Sequence, residues 1–303
     1  MKRIFITGGS GMLGSYAATQ AAERGWETWA SYSEHAVELP GCRTIPLDIR
    51  DAAKVREVIG DLKPDAVIHT AAMTRPDICE ERKSDAFAVN VLGTRNVISA
   101  AESVGAHLTH ISTDLVFDGE HNPYATGDPH CPVNYYAETK VAAEDAVFAS
   151  KSDWAIVRTS IIFGPRRFPF LESYSDKVIE SLRAGKPINA FTDQRRSPIP
   201  AWNLADVCLE IAERRLTGIY HAVCPESSTR YEFARKVAEV FGLDADLVKP
   251  ISMDGVQQLA RRPKTLILDT ASTQQALNTR LLGFEEGILE LLNRQGAKDA
   301  KGE

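Results

Sequence analysis

The chain has 303 residues, 44% of them hydrophobic and 25% charged, a composition that suits a folded globular protein with room for one large domain and a smaller lobe. A formal net charge of -6 argues against nucleic acid as a partner, because phosphate recognition wants a clustered cationic surface, and no apolar run approaches the ~18 residues of a membrane span. Five scattered cysteines without a C-x-x-C offer neither a disulfide scaffold nor a zinc site, and no metal-ligand set is read elsewhere; with no secretory leader pattern at Met1, a cytoplasmic location is expected.

Residues 3–16 read Arg-Ile-Phe-Ile-Thr-Gly-Gly-Ser-Gly-Met-Leu-Gly-Ser-Tyr, an apolar strand closed by four glycines and followed by an alanine-rich helix from Tyr16 to Arg24. Gly8, Gly11 and Gly14 fit G-x-x-G-x-x-G, and Gly9, Gly11 and Gly14 fit G-x-G-x-x-G. Such a turn between strand and helix brings backbone N–H groups and a positive dipole end to a pyrophosphate, so Gly8, Ser10, Gly11, Met12, Leu13 and Gly14 are candidate dinucleotide-binding residues. Strands are expected next at Glu27–Tyr32 and Thr44–Leu47, a helix over Asp51–Leu62, a strand over Ala66–Thr70, a long helix over Asp85–Val104 and a strand over His107–Ser112. A helix carrying Tyr136 and a strand over Trp154–Arg158 follow. This alternation predicts an α/β fold, a doubly wound parallel sheet of the Rossmann type, in a dinucleotide-binding domain over residues 1–164. Residues 165–303, richer in loops, arginines and prolines, read as a smaller α/β substrate lobe with helices near Phe170–Ala184, Leu204–Arg215 and Tyr231–Phe241. A strand over Gly218–Val223 is placed to return to the main sheet, and the polar end from Gln295 to Glu303 is expected to fray.

Ligands of a doubly wound sheet gather beyond the carboxyl ends of its strands, and that rule sorts the polar residues. Ser31 ends the second strand where an acid would favour NAD, which points to NADPH, with NADH possible and Glu34 as an alternative acid. Asp48 and Ile49 end the third strand and can read an adenine edge; a helix-capping duty for Asp48 is an equal alternative. Ala71, Ala72 and Met73 end the fourth with small or slender side chains against which a flat cofactor can lie, and Thr74 follows. Thr113 and Asp114 end the fifth. Tyr136 and Lys140 stand one turn apart on a helix, where an ammonium favours the phenolate and lowers the tyrosine pKa. Such a pair also occurs by chance as a solvated couple, and the glycine turn is what makes a proton donor of it.

Thr7 to Gly14, Ala71 to Thr74 with Asp77 and Glu80, Asn90-Val91-Leu92-Gly93-Thr94, Ser112-Thr113-Asp114 with Val116 to Gly119, Tyr136 to Lys140, Arg158-Thr159-Ser160 and Arg262-Pro263-Lys264 resemble an extended short-chain dehydrogenase/reductase of the dTDP-4-dehydrorhamnose reductase group, nearly end to end. The resemblance implies an NAD(P)H-dependent oxidoreductase of rhamnose biosynthesis that reduces a nucleotide-linked 4-keto sugar, with Thr113, Tyr136 and Lys140 as the catalytic set. It adds Asn90 to the cofactor residues and Thr74 and Asp114 to the substrate residues. For the substrate's diphosphate it makes candidates of Arg166, Arg195 and Arg262, beside Arg167, Arg196 and Arg261. A homodimer is compatible with it. Leu115 and Ile161 stand where the group carries aromatics, which leaves open another nucleotide-sugar epimerase or dehydratase, or a non-catalytic regulatory subunit on the same fold.

Overall fold

The computed structural model describes residues 1–299. In chain order it runs β1 (Arg3–Thr7), α1 (Met12–Glu23), β2 (Glu27–Tyr32), β3 (Cys42–Pro46), α2 (Ala52–Leu62), β4 (Ala66–His69), α3 (Pro76–Glu81), α4 (Lys83–Phe87), a π-helical turn (Ala88–Gly93), α5 (Thr94–Val104), β5 (His107–Thr113), α6 (Tyr135–Phe148) and β6 (Trp154–Thr159). The second half adds β7 (Ile162–Phe163), α7 (Tyr174–Arg183), β8 (Ile188–Phe191), β9 (Arg195–Arg196), β10 (Ile199–Pro200), α8 (Ala201–Arg214), β11 (Gly218–His221), β12 (Ser228–Thr229), α9 (Arg230–Val240), β13 (Val248–Ile251), α10 (Ala271–Ala276) and α11 (Phe284–Asp299).

Seven strands form one parallel sheet in the order β11-β6-β5-β4-β1-β2-β3. Parallel strands need crossovers, and these place helices on both faces. The strand sequences show why both faces are dry. Ile4, Ile6, Ile68 and Val157 join one core cluster with α1 and α8, while Phe5, Val67, Leu108 and Ile156 join the other with α2 and α5. Successive side chains thus enter opposite layers, each buried Ile, Val, Leu or Phe contributing about 1.5–3 kcal/mol. The strand order reverses between β1 and β4, so the crevice beyond their carboxyl ends is the place such a sheet reserves for a ligand.

The expected strand near 218–223 is β11, which joins the sheet beside β6, and α8 packs against α1. The boundary expected at residue 164 is therefore crossed twice, because α8 and β11 belong to the sheet layers. The rest of the second half carries three two-stranded sheets. The continuous helix expected over Asp85–Val104 is instead α4, the π-helical turn and α5. Asn90 in that turn receives Met73 N–H on Oδ1 (2.8 Å) and donates through Nδ2 to Met73 O (3.1 Å) and Thr139 Oγ1 (2.9 Å). Its own carbonyl accepts from Thr94 Oγ1 (2.7 Å), and a widened turn of this kind is common where a helix serves a site. At the C-terminal end Gln295 lies within α11, whose Ile288 and Leu291 are fully buried; residues 300–303 of the segment expected to fray lie outside the described residues. Among the described residues no helix is long and apolar enough to cross a membrane.

Candidate active site

A cavity of about 1070 Å³ opens beyond the carboxyl ends of β1, β2, β4 and β5. Its floor is the glycine turn: Gly8, Ser10, Gly11, Met12, Leu13 and Gly14 all line it. Gly8 has φ +73°, and a Cβ there would meet Thr70 Oγ1 at 2.8 Å; a Cβ on Gly14 would run into the Gly8 carbonyl. Only glycine permits the turn at the first position and the close approach of helix to strand at the second. The result is a cradle of backbone with α1 pointing its N-terminus at the cavity, and this fits the pyrophosphate of a dinucleotide.

Ser31, Asp48 and Ile49 line the cavity beside that cradle, and so do Glu34 and Arg50. Asp48 is not the helix cap; that duty falls to Asp51, whose carboxylate accepts from Lys54 N–H at 3.0 Å. Asp48 instead receives Arg50 through Nε (2.9 and 3.0 Å) and a terminal nitrogen (2.6 Å), and this hydrogen bonding holds its carboxyl below the usual range. Arg50 escapes a reading that searches for a cation just after the second strand, because it arrives from the third. Ala71, Ala72, Met73 and Thr74 line the middle of the cavity. Asn90 does not reach the wall. It is buried behind Met73 and fixes that segment's backbone.

Thr113, Tyr136 and Lys140 come together at the far end. Asn134 caps α6 by accepting from Ala137 N–H (2.9 Å), and Tyr136, Lys140 and Glu144 then recur every fourth residue on the face turned to the sheet, all buried. The expectation that Lys140 lowers the Tyr136 pKa is corrected here. Burial pushes the phenol up, the Thr113 hydroxyl pulls it back, and Lys140 is not among the influences on it. The lysine is turned elsewhere: Nζ donates to Ile111 O (2.7 Å) and lies 3.1 Å from His110 Nε2. Its own pKa falls to about 8, because burial disfavours the ammonium more than Glu144 restores it. A phenol held protonated beside a hydroxyl is a proton donor ready for a developing alkoxide.

The arginine-lined end of the cavity has a different character. Asp114 is buried, accepting from Ser160 Oγ (2.6 Å) and Thr113 Oγ1 (3.1 Å), with Arg196 Nε at 3.6 Å. Arg196, Arg230 and Arg262 line the cavity, while Arg166 and Arg195 lie outside its wall. Arg166 pairs with Glu180 (2.9 Å) and Arg195 with Glu232 (2.9 Å), each guanidinium meeting a carboxylate outside the cavity wall. Arg262 is clamped by Asp77 through two bonds of 3.0 and 2.7 Å. Arg230, missed in the sequence although it directly precedes Tyr231-Glu232-Phe233-Ala234, donates from Nε to Gln194 Oε1 (3.1 Å) and lies over Tyr174 at 4.4 Å. Among the described residues no carboxylate forms an ion pair with it, and burial lowers its pKa to about 10. Leu115 and Ile161 give this end aliphatic walls.

Comparison with known proteins follows that geometry. The family described as RmlD substrate binding domain matches residues 1–296. The chain belongs to the RmlD family. As a member of this group of extended short-chain dehydrogenase/reductases it is an NAD(P)-dependent oxidoreductase. The chain is 34% identical to dTDP-4-dehydrorhamnose reductase of Mycolicibacterium smegmatis, over 95% of its own length and 84% of the relative's. It is 32% identical to methionine adenosyltransferase 2 subunit beta of Xenopus tropicalis, over 96% and 87%. The crystal structure of dTDP-4-dehydrorhamnose reductase from Bacillus anthracis in complex with NADP superposes with a TM-score of 0.87 at 27% identity, covering 97% of this chain and all of that one. The RmlD match spans both halves of the chain, and an NAD(P)-dependent oxidoreductase uses a nicotinamide cofactor.

Proposed function

We propose that the protein reduces a nucleotide-linked 4-keto sugar with NADPH, dTDP-4-dehydrorhamnose to dTDP-rhamnose being the first candidate. The observation that carries this reading is the single cavity that joins the glycine turn, the Thr113–Tyr136–Lys140 set and the Arg230 guanidinium, which forms no ion pair among the described residues. With its pyrophosphate held by the glycine turn, NADPH would supply the hydride. Thr113 Oγ1 hydrogen-bonds the ketone oxygen and Tyr136 Oη gives that oxygen its proton, a general-acid contribution of roughly 10²–10⁴-fold. Lys140 directs its remaining N–H and its positive charge to the cofactor side. Arg230, supported by Arg196 and Arg262, meets the sugar nucleotide's diphosphate, since guanidinium forks match phosphate oxygens. NADPH over NADH is favoured by Ser31 at the end of β2 together with the Arg50 cation in the same wall, because a hydroxyl and a cation accept a 2′-phosphate that an acid would repel.

A second reading, a regulatory subunit that binds the nucleotide without turnover, is favoured by the relatives named methionine adenosyltransferase 2 subunit beta and by Leu115 and Ile161. One assay separates them: NADPH oxidation followed at the nicotinamide absorbance with dTDP-4-dehydrorhamnose and a panel of nucleotide keto sugars. Turnover that requires Tyr136 carries the reductase reading. Tight NADPH binding without oxidation by any member of the panel carries the regulatory one.

A further inference from the structure

Behind Lys140 lies an imidazole that the reductase chemistry does not use. His110 on β5 is 1% exposed, and its Nε2 lies 3.1 Å from Lys140 Nζ. An ammonium can only donate, so Nε2 must present its lone pair and the ring proton must sit on Nδ1. Yet Nδ1 has no hydrogen-bond partner. Further in, His69 is saturated by Thr7 Oγ1 on Nδ1 (2.7 Å) and Thr94 Oγ1 on Nε2 (3.0 Å), its ring 5.3 Å from that of His110. A buried N–H left unpaired is destabilising, and an aliphatic side chain at position 110 would avoid it; stability does not account for a histidine here.

The groups acting on this pair are few: Glu144 from α6 acts on Lys140, and Lys140 and His69 act on His110. Burial in the first place, then the lysine, hold both imidazoles neutral, so the ammonium faces a lone pair and never a second cation. Two of the three ammonium hydrogens are then committed, one to Ile111 O and one to His110 Nε2. The third is left for the cavity that Lys140 lines.

We propose that His110 is a positioning residue for the reduction: its Nε2 lone pair fixes the Lys140 ammonium so that the remaining N–H is aimed at the cofactor ribose. This rests on the oxidoreductase reading of the site, and the test is arranged to fail separately from it. In the free protein, nitrogen chemical shifts of His110 should report the Nδ1-protonated, Nε2-bare tautomer throughout roughly pH 6–8, where an ordinary histidine titrates. His110→Leu should raise the NADPH Kd and lower kcat/KM by roughly tenfold each, the loss expected of one charge-assisted hydrogen bond. It should also move the basic limb of the kcat/KM profile to lower pH, because removing the acceptor disfavours the ammonium. His110→Gln, which restores an acceptor oxygen, should recover most of both losses. An Nε2-protonated His110, or a leucine variant with wild-type NADPH affinity and an unmoved basic limb, overturns the proposal; if the leucine variant does not fold, the tautomer and the glutamine variant still decide it. Should wild type never oxidise NADPH with a keto sugar, the reductase reading fails while the tautomer and the NADPH Kd still judge His110.

Discussion

At the glycine-turn end of the cavity the wall is largely backbone, supplied by one continuous stretch from Gly8 to Gly14, whereas at the other end it is long side chains, with Arg196, Arg230 and Arg262 arriving from three separate segments. The first end has no freedom: the Gly8 conformation and the Gly14 contact are set by steric exclusion. The second is set by competition, since each guanidinium goes to whichever carboxylate or carbonyl it can reach. Arg195 and Arg196 are neighbours in sequence, yet one pairs with Glu232 outside the cavity and the other lies against Asp114 inside it. Rigid backbone shapes the first end, and competition among side chains shapes the second.

Experiments can break that contrast in order of expected effect. Tyr136→Phe, at the junction of the two ends, should lower kcat by ~10²–10⁴-fold or more while fluorescence titration shows NADPH binding intact; turnover near wild type would remove Tyr136 from the reaction. Gly14→Ala should act at the backbone end alone, costing about 1–3 kcal/mol in urea unfolding through overpacking and weakening NADPH binding. At the side-chain end, Arg230→Ala should raise the KM for the nucleotide sugar ~10-fold or more, the worth of charge-assisted bonds to a diphosphate, and leave the KM for NADPH unchanged. Equal damage to both constants would show that the ends are not separate.

Two further measurements sharpen it. The free-enzyme profile of kcat/KM should fall on the alkaline side with an apparent pKa near the value of about 8 that burial imposes on Lys140, because the role proposed for Lys140 needs the ammonium, present below that pH and lost above it. A limb near the ordinary lysine value would mean that Lys140 is better solvated than its burial implies. The smallest effect belongs to Arg50→Ala. A half-exposed cation contributes roughly 0.2–1 kcal/mol, so the NADPH-to-NADH ratio of kcat/KM should fall only a few-fold, and no change would move cofactor choice to Ser31 and Glu34.

The backbone end was legible from residue order. A G-x-x-G-x-x-G turn between an apolar strand and a helix has one compact geometry, and Gly8, Ser10, Gly11, Met12, Leu13 and Gly14 all line the cavity. Helix spacing likewise put Tyr136 and Lys140 on one buried face. What spacing could not say is where the lysine points. Its partners, Ile111 O and His110, lie about 30 residues away, and they replace the expected influence on the tyrosine. Asn90 shows the same limit, since its side chain ends on the Met73 backbone behind the wall. Arg230 does not stand out in the sequence because one arginine resembles another, and only its burial and the absence of an ion pair among the described residues mark it.

Local order thus determined the strands, the glycine turn and the Tyr136–Lys140 face, because those follow from steric limits and periodicities that act within a few residues. Tertiary structure alone decided which arginines stay with carboxylates on the surface and which line the cavity, that His110 lies under Lys140, and that α8 and β11 return to the sheet. Each of those outcomes depends on charge and burial contributed by segments far away in the chain, and such interactions are absent until the chain has folded.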